Sequence, residues 1–79
     1  MLEFTSYDPE FYPDGAWVSG IYKIVLYPEY IDNRYQPAYC AYYKPEGWTN
    51  WGNHVDHTKK LYQTFDEARL ACERHTANK

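Results

Sequence analysis

The apolar and polar positions change rhythm along the chain. From Ile21 to Tyr27, β-branched and aromatic residues follow one another, which predicts a strand. Ile21, Lys23 and Val25 share one face; Tyr22, Ile24 and Leu26 share the other. The lysine turns the first set outward and assigns the second to the core. Gly20 fits a bulge that would bend a longer strand beginning at Ala16, and Pro28 ends it. A second strand spans Ala38 to Lys44, with Ala38, Cys40 and Tyr42 on one side and Tyr39, Ala41 and Tyr43 on the other. The polar connection Glu29 to Gln36, centred on Asp32-Asn33, is short enough to make the two strands antiparallel neighbours. After the turn Pro45-Glu46-Gly47, residues 47–57 have no clean period. A short third strand is expected over Lys59 to Gln63.

At Thr64 the period becomes helical. Thr64-Phe65-Asp66-Glu67 is a capping box, in which the threonine hydroxyl accepts from the Glu67 amide. Asp66 and Glu67 suit the positive end of the helix dipole. Phe65, Ala68, Ala71, Cys72 and His75 form one stripe; Leu70 falls off it, and Arg69, Glu73 and Arg74 point outward. The tail from Thr76 to Lys79 is expected to fray. The first nineteen residues are irregular or form a short hairpin, Phe11-Tyr12 against Ala16-Trp17-Val18 around Pro13-Asp14-Gly15. The prediction is a single α+β domain over 1–79. Residues 20–63 form a three- to four-stranded antiparallel sheet, and a C-terminal helix over 64–76 packs on one face. Small Ala38 and Cys40 would let that helix approach closely.

Composition narrows the function. A chain of 79 residues buries only about 60% of its unfolded surface, so each large side chain matters. Aromatics make up 20% of it, ten of them tyrosines; the rings beyond what a core needs suit an interface. The net charge of −3 argues against gripping a nucleic-acid backbone by charge. No apolar run is long enough to span a bilayer. Met-Leu-Glu-Phe reads as a native initiator rather than an export signal. Two cysteines, Cys40 and Cys72, fit a reducing, cytoplasmic compartment as free thiols, with a Cys40–Cys72 disulfide as the alternative.

"SGIYKI", residues 19–24, resembles the opening of the GIY-YIG nucleases. Those enzymes need a second triplet at the end of the next strand, where this chain reads "AYCA", and a catalytic arginine and a metal-binding glutamate on helices. Arg34 lies in a loop and the only convincing helix is the last, so the triplet is read as sheet. No nucleophile motif accompanies Ser6, Ser19 or the His54-Asp56-His57 group, and the chain is expected not to be an enzyme. His54 and His57 with Cys72 and His75 would offer a thiolate and three imidazoles to zinc. Core packing of Cys72 is the commoner explanation, and no cofactor is expected. Trp48 and Trp51 with Asn50 and Asn53 resemble a sugar platform in composition. Tyr22, Tyr39 and Tyr43 with Lys23, Lys44, Lys59 and Lys60 would be the surface for stacking single-stranded bases. Both are alternatives to tryptophans that cover the sheet end and tyrosines in ordinary cross-strand pairs.

"TFDEARLACERH", residues 64–75, resembles the ending of many small orphan proteins of phages and prophages, in which aromatic-rich strands lead into an F-x-E-A helix start and then A-C-x-x-H. The resemblance implies a compact protein that binds and blocks a host protein, with anti-CRISPR proteins and inhibitors of restriction or of host polymerase as such classes. The expected partner is a host protein or complex, such as a nucleic-acid-binding effector. An acidic, tyrosine-rich surface of Asp8, Glu10, Asp14, Glu29, Tyr30, Asp32 and Tyr35 would occupy its basic channel. Direct nucleic-acid binding and a membrane are not expected. The chain would be a monomer or a homodimer paired through an exposed edge strand.

Overall fold

The computed structural model describes residues 2–77, and of Ile31 the backbone alone. Along the chain run β1 (Thr5–Ser6), β2 (Ala16–Ser19), β3 (Tyr22–Leu26), β4 (Glu29–Ile31), β5 (Arg34–Gln36), β6 (Tyr39–Tyr43), β7 (Asn53–His54) and α1 (Phe65–Ala77). The fold is α+β. One antiparallel sheet has the order β1-β2-β3-β6-β7, β4 and β5 form a separate ribbon, and α1 packs on the sheet through β6 and β3. The sheet reaches five strands because β1 and β7 add two-residue edges, too short for alternation to announce them.

Three local expectations change. Gly20 is not a bulge: Ser19 pairs with Tyr22, so Gly20-Ile21 is a two-residue hairpin loop. Gly20 has φ +60°, which a first loop residue needs to match the strand twist. Residues 29–36 are not a featureless connection. Ile31 pairs with Arg34 around Asp32 and Asn33, both left-handed at φ 52° and 63°, the pattern of a type I′ turn. The third strand over 59–63 shrinks to one bridge between Tyr62 and Tyr39. The N-terminal hairpin exists with other partners: Thr5 and Ser6, not Phe11-Tyr12, face Val18 and Trp17.

Register divides the side chains into two sets. Trp17, Ile24 and Ala41 form one cross-strand row, and Ser19, Tyr22 and Tyr43 another. They face α1, whose Ala68, Ala71 and Cys72 are buried against them with Tyr62. The other face carries the rows Ala16, Val25, Cys40 and Val18, Lys23, Tyr42, His54. Hence Cys40 lies on the face away from the helix, and Ala41 rather than Cys40 permits its close approach. Phe65, the first helical residue, sits among Phe4, Trp17 and Tyr39 with ring centroids 5.8, 5.1 and 6.2 Å away. Gly15 is required beneath this group: a Cβ there would meet the Trp17 ring at 2.5 Å.

The cap forms as expected, with the Glu67 amide donating to Thr64 Oγ1 at 3.1 Å. Arg69 and Glu73 lie partly against the fold. Arg69 donates to Glu73 Oε2 at 2.7 Å, and that oxygen also accepts from Leu2 N at 3.2 Å, tying the N-terminal segment to the helix. Thr76 and Ala77 remain helical; Met1, Asn78 and Lys79 lie outside the described residues. Among the described residues no helix is long and apolar enough to cross a membrane.

Candidate functional site

The ribbon β4-β5 stands apart from the rest: these strands pack on each other and on no other strand or helix. Its pairing places Tyr30 opposite Tyr35, with rings 5.0 Å apart edge to face. Both are exposed, at 62% and 77%. A ring pair of this kind holds each side chain in place before any partner arrives, which lowers the entropy lost on binding. Glu29 and Asp32 are exposed on the same arm, together with Arg34. At the root of the arm a groove of about 190 Å³ is lined by Gln36, Pro37, Ala38, Leu61, Tyr62 and Gln63.

The remaining three predicted residues lie on the loop between β1 and β2. Asp8, Glu10 and Asp14 are all exposed. Asp8 also has a structural task. It sits at φ 42°, its Oδ1 accepts from Phe11 N at 3.3 Å and its carbonyl accepts from Tyr12 N at 2.9 Å. The loop ends at Gly15, whose carbonyl accepts from Leu26 N at 2.9 Å, so it borders the strand end from which the arm departs. The first 36 residues hold six carboxylates and two basic side chains, and this half supplies all seven candidates.

The helix-free face holds what sequence reasoning missed. Lys23 was expected to face solvent, yet it is 9% exposed. Its ammonium donates to Tyr12 Oη at 2.7 Å and lies 4.4, 5.1 and 5.3 Å from the ring centres of Tyr12, Tyr7 and Trp51. Ring faces and one phenol oxygen replace the water that an ammonium loses on burial. Lys44 covers Trp51 at 4.5 Å. Beside this cage the Tyr42 and His54 rings stack 4.8 Å apart. Burial, with Lys60 and His57 nearby, pulls the His54 imidazole below its ordinary value. Burial first, then Cys40 beside it, pushes the Tyr42 phenol up. The available signal was the aromatic excess of residues 7–17 around the only lysine before residue 44.

The alternative sites do not assemble. His54 lies on the helix-free face beside Tyr42, whereas Cys72 is fully buried on the sheet-facing side of α1. His75 Nδ1 is 2.8 Å from Tyr22 Oη. Among the described residues no three His, Cys, Asp or Glu side chains are grouped so as to hold a metal ion, so His54, His57, Cys72 and His75 do not form the zinc set. Cys40 and Cys72 lie on opposite faces of the sheet as free thiols. Burial pushes Cys72 up to about 12, which removes it as a nucleophile. Tyr22 is buried, and Tyr39 and Tyr43 pack against Phe65 and His75, so this surface cannot stack bases. Trp51 is engaged by two lysines while Trp48 is 55% exposed, so the two indoles do not share a platform role.

Comparison with known proteins gives no match: no family model fits the chain, and no curated protein or solved structure is similar to it.

Proposed function

We propose that this chain is a non-enzymatic protein-binding module of the kind that phages and mobile elements use to block a host defence or nucleic-acid-processing protein. The observation that carries the reading is the β4-β5 arm. A two-stranded ribbon is marginal by itself in water, and this one presents two paired, exposed tyrosines while packing on no other element. Tyrosine at such a position supplies contact area and a polar tip at low entropic cost. The carboxylates of Glu29 and Asp32, with Asp8, Glu10 and Asp14 on the bordering loop, favour a basic partner surface and accelerate encounter with it. A groove that normally holds nucleic acid is such a surface.

The test is affinity capture from a lysate of the native host with the tagged chain, repeated with Tyr30→Ala/Tyr35→Ala and with Glu29→Lys/Asp32→Lys. The expected result is one enriched nucleic-acid-binding complex, lost with either double variant and displaced by added DNA or RNA. Capture that survives both double variants would overturn the assignment to the arm, and capture unaffected by nucleic acid would overturn the partner class.

A further inference from the structure

Among the described residues, β4 and β5 pair only with each other and pack on no other strand or helix, so the outer edge of β5 is open. In a two-residue hairpin the closing pair, here Ile31 and Arg34, exchanges hydrogen bonds, and bonded and non-bonded pairs alternate beyond it. Tyr30 and Tyr35 are therefore the non-bonded pair, and the N–H and C=O of Tyr35 point away from β4. Neither group has a backbone partner outside the ribbon among the described residues. Arg34 and Gln36 turn theirs inward, and Pro37 beyond them has no N–H to give. Tyr35 is thus the one β5 residue that offers both a donor and an acceptor outward, which pins the register of any strand added there.

The side chains along this edge are self-complementary. Alternation puts Tyr30 and Tyr35 on one face of the ribbon and Glu29, Arg34 and Gln36 on the other. Antiparallel pairing of β5 with a two-fold copy, centred on Tyr35, sets Arg34 opposite Gln36 of the second copy. On one face the rings then run in a single row, with the two Tyr35 side chains flanked by the two Tyr30 side chains. On the other face each row reads Glu29, Gln36 and then Arg34 of the second copy. The guanidinium reaches the carboxylate across one glutamine, and the two-fold axis repeats the contact. Neither Glu29 nor Arg34 makes an ion pair among the described residues. The outer edge of β4 is the poorer seam, because Glu29 and Asp32 flank it and pairing there gathers the carboxylates of both copies.

We infer that the chain self-associates through β5, two arms joining about a two-fold axis into one four-stranded antiparallel sheet. A two-stranded ribbon is marginal in water, and further strands with a shared ring face supply what it lacks. The tyrosine face stays open in the pair and is extended by the rings of the second copy. The inference rests on the edge and the charges of the ribbon and not on the host partner proposed above. Contact through a strand of three residues is small, which places the pair in the weak, concentration-dependent class.

The test uses the purified full chain alone, so its outcome is independent of capture from a lysate. Sedimentation velocity should show monomer at about 5 µM and a growing share of dimer toward about 1 mM. In ¹H–¹⁵N NMR spectra over the same range, the Tyr35 amide should move more than the Tyr30 amide. Arg34→Glu and Glu29→Arg should each weaken dimerisation about tenfold, since each sets like charges against one another at both symmetric contacts. An equimolar mixture of the two variants should dimerise as the parent does, because in the mixed pair every acid again meets a base. The inference is overturned by a chain that stays monomeric up to about 1 mM, by charge variants that dimerise like the parent, by a mixture no tighter than either variant alone, or by a larger shift at Tyr30 than at Tyr35.

Discussion

On the helix side of the sheet, Ile24, Ala41, Ala68 and Cys72 are almost fully enclosed, and aromatic rings from three segments close around Phe65. On the other side the same strands point Lys23, Tyr42 and Cys40 at a layer made of a loop and one indole. The first face is dry and shape-matched, so its stability follows apolar area. The second is built around a cation and depends on directed contacts to it. A chain this small cannot afford a second helix, and it covers its second face with rings and a lysine stem instead. The difference teaches that a charged residue in an alternating strand does not by itself mark the solvent side.

Substitutions separate the two faces. Ile24→Ala, which opens a cavity on the dry face, is expected to cost between about 2 and 5 kcal/mol in urea denaturation, enough to unfold much of so small a protein. Lys23→Met keeps the stem and removes the ammonium. It is expected to cost about 2 kcal/mol through the lost ring contacts and the lost bond to Tyr12, with faster hydrogen exchange over residues 7–15. A Lys23→Met protein as stable as the parent would mean that area alone holds both faces. Thr64→Ala removes the cap that fixes α1 where Phe65 enters the dry face, and should cost about 1 kcal/mol.

The smaller effects sharpen the contrast. His54 lies on the lysine face with its imidazole held below 6.5, first by burial. Its Nδ1 is buried without a partner among the described residues, so a proton there would have no acceptor. The unfolded chain therefore binds that proton more readily than the folded one. The stability from His54 is full above the unfolded value and is lost as pH falls through the lower folded value. His54→Gln should flatten the fall in denaturation midpoint between about pH 7.5 and about pH 5 relative to the parent. Tyr30→Ala and Tyr35→Ala on the arm belong to neither face and should each change stability by less than about 0.5 kcal/mol, while removing partner binding. A larger loss would show that the arm is part of the fold.

Where local chemistry acts within a few residues, the sequence was readable. The Thr64 cap, the stripe Phe65, Ala68, Ala71, Cys72 and His75, and the alternation of β3 and β6 all depend on neighbours in the chain. The seven candidate interface residues are exposed. The pairing of Tyr30 with Tyr35 depends on a type I′ turn at Asp32-Asn33, which a short polar stretch does not announce. The two-residue edges β1 and β7 carry too few positions for a period to show.

Which face of a strand receives the helix is decided elsewhere. The sequence alone determined the α+β class, the helix and its cap, and the two faces of each strand, because rotamer preference, alternation and capping are local. Only the tertiary structure decided that Lys23 is enclosed by Tyr7, Tyr12 and Trp51, that Cys40 and Cys72 are separated by the sheet, and that Tyr62 bridges to Tyr39 and packs in the core under α1. Those arrangements join residues as far apart as Tyr7 and Trp51, 44 positions in a chain of 79, and their energy exists only once the loops have closed and water has left.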